Sequence, residues 1–192
     1  MIEEDGYLVI RKAIPSEVLD FVVEELNIIY EVSKNSNESR QDPQVVGAVS
    51  LYGTSTTETL MLKLLPTIEE ATGLELYPTY SYMRYYSLGQ EMAKHLDRPS
   101  CEYSITANLW NEKEPWPIWF THPKGYPAQV DLHPGDIIIY KGCEIEHWRE
   151  VNTVGKSIQT FLHYVNKNGP NAEWAYDKRE LGEIYGDTRF SR

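Results

Sequence analysis

The sequence predicts a mainly β fold, a sandwich or barrel with flanking N-terminal helices. Helical spacing of apolar residues is confined to the part of the chain before residue 74. Beyond it, seven or eight β-like runs follow at short intervals, punctuated by Gly and Pro. The 14 Tyr and 5 Trp are numerous for this length, and such residues favour strands.

Asp5-Gly6-Tyr7-Leu8-Val9-Ile10 reads as a turn and a short strand. Pro15-Ser16-Glu17 then opens a helix with Val18, Phe21, Val22, Leu26 and Ile29 at helical spacing, an amphipathic buttress for a sheet. Residues 33–44 are polar throughout and are expected to form a mobile loop. Residues 56–71 form the second helix, with Leu60, Leu64, Leu65 and Ile68 on one side and Gly73 just past its end. An aromatic strand follows over 76–86 and is broken at Gly89. Further strands are expected over 103–110, 118–120, 128–132, 136–140 and 157–165, with another beginning near Trp148. Pro134-Gly135 turns one of these runs into the next. After Gly169-Pro170 a polar, aromatic tail is expected to pack on the outside. The whole reads as one domain: helical support at 14–72, a β core at about 74–166 and a tail at 167–192.

Bulk properties narrow the function. The 192 residues suit a single substantial core, and 41% hydrophobic with 24% charged residues is ordinary for a globular protein. A net charge of −11 argues against nucleic acid or an anionic membrane as the main partner. Cys101 and Cys143 can form at most one disulfide. Met1-Ile2-Glu3-Glu4-Asp5 is unlike a signal peptide, and no apolar run approaches a membrane span, so a cytoplasmic location with free thiols is expected.

The chemistry centres on His95-Leu96-Asp97. If extended, these residues send an imidazole and a carboxylate out of the same strand face, where both can grip one metal ion. The best candidate for a third ligand is His147, just after the β-like run Asp136-Ile137-Ile138-Ile139-Tyr140. Two His and one carboxylate with open positions opposite are expected of a non-haem Fe(II) oxygenase. His122, His133 and His163 are read as structural.

The words around the trio carry a resemblance. Tyr86-Ser87-Leu88-Gly89 running to His95-Leu96-Asp97, then Tyr103-Ser104-Ile105-Thr106-Ala107-Asn108-Leu109, His133-Pro134-Gly135-Asp136 and His147, resemble the 2-oxoglutarate and Fe(II)-dependent oxygenase superfamily. The likeness is greatest to its prolyl-4-hydroxylase-type branch and spans roughly residues 75–166. It implies a double-stranded β-helix (jelly-roll) core with His95, Asp97 and His147 as iron ligands. It further implies 2-oxoglutarate as co-substrate, O2 as oxidant, succinate and CO2 as products, and ascorbate as an accessory reductant. The carboxylate at Asp97 sets the chain apart from related halogenases, which lack it.

The distal carboxylate of the co-substrate needs a cation in a mostly apolar pocket. The family places Arg or Lys ten residues after the second His, and here position 157 is Ser. Lys156 lies one residue short, whereas Arg149 shares the face of His147 if that segment is extended. Arg149 is favoured because no slack separates it from His147, and both stay open. Ser104, Thr106, Asn108 and Trp110 alternate along one strand face, and Asn108 is expected to donate to the co-substrate, with Tyr86 and Gln159 also lining its pocket. Arg98-Pro99-Ser100 is placed at the substrate entrance, and Trp116 and Trp119 within 111–127 are expected in an aromatic lid.

The primary substrate is expected to be a small molecule or a peptide side chain. A rival of another class is a non-catalytic cupin-like metal-binding β-barrel, favoured by the displaced basic residue. A nucleic-acid demethylase of the same superfamily is disfavoured by the acidic charge and by the single arginine after His147.

Overall fold

The computed structural model describes residues 2–35, 42 and 44–179. Helix α1 (Ile2–Asp5) and strand β1 (Tyr7–Ile10) lead into helix α2 (Ser16–Asn35). Strand β2 (Val49–Tyr52) and helix α3 (Ser55–Thr72) follow. Then come β3 (Leu76–Tyr86), β4 (Met92–His95), β5 (Tyr103–Asn111), β6 (Ile118–Thr121), β7 (Pro127–Val130), β8 (Ile137–Lys141), β9 (His147–Arg149) and β10 (Ser157–Asn166). A single 3₁₀ turn occupies Pro99–Cys101, and a longer 3₁₀ segment, kinked at Ala175–Asp177, occupies Ala172–Lys178. Two sheets form, a large one in the order β1-β8-β5-β10-β3-β2 and a small one in the order β4-β9-β6-β7. Every pairing is antiparallel. The expected mainly β architecture with flanking helices is therefore present, β1 falls on the expected first strand, and β2 is an addition within the helical portion.

The two long helices form because their apolar residues recur every three or four positions, and α3 is capped at both ends. The Thr54 hydroxyl accepts from the Thr57 amide at 3.1 Å, and Gly73 ends α3 in the left-handed region at φ 70°. In α2 the buried stripe is Leu19, Val22 and Leu26, whereas Phe21 is 72% exposed. Phe21 is thus corrected from the expected core face, which lies about one position away. Of the expected polar loop at 33–44, residues 33–35 belong to α2, and 36–41 and 43 lie outside the described residues. Residues 180–192 of the expected tail also lie outside them.

The inner strands of the large sheet are buried on both faces, with apolar residues toward the helices and a mixture of aromatic and polar residues toward the small sheet. On β8, Ile137 and Ile139 pack toward the helices with Leu60, Met61, Leu64 and Ile68. Ile138 and Tyr140 point the other way, into a cluster with Phe120 and Leu132 beneath the small sheet. Burial of this kind is worth about 1.5–3 kcal/mol per large side chain before the entropy of ordering it. A second inner cluster, with Tyr86, Met92, Trp116 and Phe161, fills the other end of the inter-sheet space.

One bulge matters for the inner face. Opposite β10 the register slips so that Ile158 faces Trp110 and Gln159 faces Asn108. Both Leu109 and Trp110 then pack toward the helices, and Trp110 leaves the stripe of Ser104, Thr106 and Asn108. The turn His133-Pro134-Gly135-Asp136 is a structural joint. Asp136 accepts from Arg11 Nη1 at 2.7 Å and from the backbone amides of Lys12 and His133 at 2.9 Å, tying β8 to the N-terminal strand. Gly135 has φ 91°, and a Cβ there would lie 2.8 Å from the Ile14 carbonyl oxygen.

Candidate active site

Register places the first two imidazoles together. β4 pairs with β9 so that His95 faces His147 across the small sheet, with ring centroids 4.3 Å apart. Asp97 lies two residues past the end of β4 and is held by its amide, which donates to the Gly142 carbonyl at 2.8 Å. His95 Nδ1 lies 2.9 Å from the Ala93 carbonyl and His147 Nδ1 lies 3.0 Å from the Ile145 carbonyl. A carbonyl can only accept, so each Nδ1 carries its proton and each Nε2 presents a lone pair. Those Nε2 atoms face Asp97 Oδ1 at 3.7 and 3.6 Å. One ligand atom from each of the three residues lies within 4.8 Å of the others. Burial, opposed by the Asp97 charge, lowers the pKa of His147 and keeps its imidazole neutral. Two neutral imidazoles and one carboxylate oxygen are a donor set suited to a divalent first-row metal.

A cavity of about 450 Å³ opens on this trio. Its walls include Tyr80, Tyr82, Arg84, Arg98, Tyr140 and Phe161. Arg98 is in the wall where the sequence suggested; it donates to Asp177 at 2.8 Å, and its guanidinium lies 4.6 Å from the Tyr80 ring centroid.

Arg149 is the other decisive side chain. It lies on β9 two residues after His147 and is only 1% exposed. Its guanidinium lies 4.9 Å from the Trp116 ring centroid and 6.0 Å from that of Tyr86. Nη1 donates to the Trp116 carbonyl and Nη2 to Gln159 Oε1, while Nε has no partner. Among the described residues no carboxylate forms an ion pair with it. Burial pulls the Arg149 guanidinium down to about 10, which still leaves it charged at neutral pH. An unpaired buried cation is costly and calls for an anion.

The other residues singled out in the sequence divide. Tyr86 and Gln159 are buried beside Arg149, and none of these three is among the residues that line the cavity at the trio. Lys156 is not brought there: it is exposed in the turn before β10, and its backbone pairs with Glu112. That turn is held by Asn152, whose side chain bonds the Gly155 carbonyl and amide, so it does not contract to bring the lysine inward. Asn108 does not line the cavity, because its Nδ2 is taken by the Leu132 carbonyl. Trp116 is buried at 4% and Trp119 stacks on Trp148 on the small sheet, so neither is part of a lid over the cavity. His122 and His163 are buried and His133 is exposed; none joins the trio, though His163 stands behind Asp97. Both cysteines are free.

Arg84 was missed. On β3 it is 4% exposed, with Nε 2.7 Å from Asp42 Oδ2 and Nη2 on Gln44. Asp42 also accepts from Tyr82 and from the amides of Gln44 and Val45, which pins this segment onto the cavity wall. The one available signal was parity: Arg84 alternates with Tyr82 and Tyr86 in an aromatic strand.

No protein-family model and no curated protein sequence matches the chain. Solved structures do. A Pseudomonas putida prolyl-4-hydroxylase superposes with TM-score 0.64 at 12% identity, covering 86% of this chain and 95% of that one. HygX from Streptomyces hygroscopicus, solved with nickel and 2-oxoglutarate, gives 0.65 at 14% identity over 87% and 85%. A Trichoplax adhaerens prolyl hydroxylase, solved with a hypoxia inducible factor peptide fragment, gives 0.69 at 12% identity over 93% and 90%. These likenesses are likenesses of fold, and the fold is a double-stranded β-helix. The jelly-roll core implied by the sequence resemblance is therefore present. Among the described residues no helix is long and apolar enough to cross a membrane.

Proposed function

We propose that the chain is an Fe(II)- and 2-oxoglutarate-dependent dioxygenase of the hydroxylase type. The observation that carries this is the pairing of two features in one interior. His95, Asp97 and His147 converge three ligand atoms, and Arg149, on the strand that bears His147, is a buried cation that no carboxylate pairs with among the described residues. A dicarboxylate with one end at the metal and the other at Arg149 answers both demands.

In this reading His95 Nε2, Asp97 Oδ1 and His147 Nε2 hold the iron, and the carbonyls of Ala93 and Ile145 fix both imidazole tautomers. Iron bound there with 2-oxoglutarate and O2 supplies oxidative decarboxylation to succinate and CO2, with the second oxygen atom going to the substrate as a hydroxyl. Arg149 binds the distal carboxylate, Gln159 orients the guanidinium, and Trp116 and Tyr86 exclude water from it. The cavity beyond, with Tyr80, Tyr82 and Phe161, has room for a small molecule or one peptide side chain. The cupin-like alternative offers no reason to bury Arg149 uncompensated.

The deciding experiment is an anaerobic titration of the metal-free protein with Fe(II) and then 2-oxoglutarate. The expected result is a weak visible charge-transfer band that requires both components and is absent from Asp97→Ala. Normal Fe(II) binding with no band on adding 2-oxoglutarate would overturn the co-substrate assignment.

A further inference from the structure

Behind the metal-facing edge of Asp97 lies a second set of polar side chains that the reading above does not use. Ser104, on β5 and fully buried, places Oγ 2.6 Å from Asp97 Oδ2 and 3.0 Å from His163 Nδ1. The Asp97 carboxylate at 2.6 Å and the Cys101 carbonyl at 3.1 Å can each only accept, so the single hydroxyl proton of Ser104 is spent on them, and the shorter contact is to Asp97. The hydroxyl oxygen must then accept from His163, which fixes the imidazole as the Nδ1–H tautomer. His163 is held in turn by the Tyr80 ring, 4.6 Å away between centroids. The chain of donors runs one way, from His163 to Ser104 to Asp97.

Space enforces the same arrangement. Gly142 packs against the back of the carboxylate, and a Cβ there would lie 2.4 Å from Asp97 Oδ2 and 2.5 Å from Ser104 Oγ. Asp97 therefore has Oδ2 bound and enclosed, and only Oδ1 faces the two imidazoles. Asp97, Cys101 and His163 also lie close enough together to resemble a second metal site. The Ser104 hydroxyl contacts all three residues, lying 3.1 Å from the Cys101 carbonyl. Burial pushes the Cys101 thiol up to about 12, so it stays protonated. The cluster is thus organised around a hydrogen-bonded hydroxyl.

We propose that Ser104 and His163 are positioning residues that commit Asp97 to bind metal through Oδ1 alone. The proposal rests on the assignment of Asp97 as an iron ligand. It assigns His163 a task that its neutral, buried state permits: a fixed donor at the far end of a short relay. Partners of this kind typically change metal affinity by about 10–100-fold when removed.

The test measures anaerobic Fe(II) affinity directly, with far-UV circular dichroism of the metal-free proteins as the check on folding. Ser104→Ala is expected to bind Fe(II) about 10–100-fold more weakly. His163→Leu, which removes the donor, should weaken binding in the same direction. His163→Asn keeps an N–H near the Nδ1 position and should bind close to the parent. If Ser104→Ala fails to fold, the two His163 variants decide the matter. Parent affinity in Ser104→Ala, or equal losses in His163→Leu and His163→Asn, would overturn the proposal. A parent chain that binds no Fe(II) would overturn the functional assignment itself. Two Fe(II) ions per chain, one lost in Cys101→Ser, would replace the relay with a second metal site.

Discussion

Strand β10 has two faces that solve different problems with the same backbone. Toward the helices it presents Ile158, Leu162 and Tyr164, packed into the main apolar core. Toward the small sheet it presents Gln159, Phe161 and His163, which hold Arg149, line the cavity and back Asp97. Both faces are almost wholly buried, so exposure alone does not tell them apart. The difference lies in what satisfies each side chain. Ile158 and Leu162 need only volume and Tyr164 adds a single hydroxyl bond to the Met61 carbonyl, whereas Gln159 and His163 need partners, because a buried polar group without one is costly. A buried polar stripe in a sheet therefore marks the face that handles chemistry, and the two faces should respond differently to substitution.

The sharpest way to break this comparison is at the trio. Asp97→Ala or His147→Ala should reduce Fe(II) affinity by more than about a hundredfold, since each would remove a ligand of the proposed metal site. Chemical unfolding of the metal-free protein should show little loss. Unchanged affinity in both variants, measured by anaerobic equilibrium titration, would mean that the convergence of these side chains holds no metal.

The opposite face should give the opposite result. Leu162 is fully buried beneath the helices, and Leu162→Ala should cost about 2–5 kcal/mol of stability in urea unfolding. Fe(II) affinity, measured where the variant is still folded, should stay near that of the parent. A loss of metal affinity matching the loss of stability would show that the two faces are coupled through the sheet.

The trio was legible in the sequence because its logic is local: two residues apart in an extended segment, then a His after a β-like run. Arg149 was legible for the same reason, since parity alone puts it on the face of His147. Lys156 misled because its rank depended on how a turn would fold, and Asn152 sets that turn through contacts the sequence does not spell out. Arg84 and Asp42 lie forty-two positions apart and meet only once the fold has formed. Trp110 was misplaced by a bulge, since one extra residue inverts the alternation on which the stripe was built. Asn108 and Trp116 were assigned by residue type, and their positions are set by a carbonyl of Leu132 and by the guanidinium of Arg149.

That contrast between Arg149 and Lys156 can itself be measured. Arg149→Ala should weaken 2-oxoglutarate binding by about a hundredfold, close to 3 kcal/mol, as expected for truncating the cation of a buried charge pair. Lys156→Ala should bind it as the parent does, because its side chain is in solvent. Equal and small effects in a titration of the Fe(II)-loaded variants would place the carboxylate elsewhere, with Arg84 the next candidate on the cavity wall.

The gentlest probe is pH. Burial holds His163 down to about 4, compared with 6.5 for an unhindered imidazole. Above pH 6.5 both the folded and unfolded chains carry it neutral, so it makes no difference to stability there. As pH falls from 6.5 toward 4, the unfolded chain takes up a proton that the folded chain refuses, and stability drops. The loss follows about 1.4 kcal/mol per pH unit and reaches about 2 kcal/mol by pH 5. His147, whose pKa is also lowered, adds to the slope in the same sense. Replacing His163 with Asn should flatten the pH dependence of urea midpoints over this window while leaving the midpoint at pH 8 less affected. An unaltered slope would mean that the inner face does not hold His163 neutral.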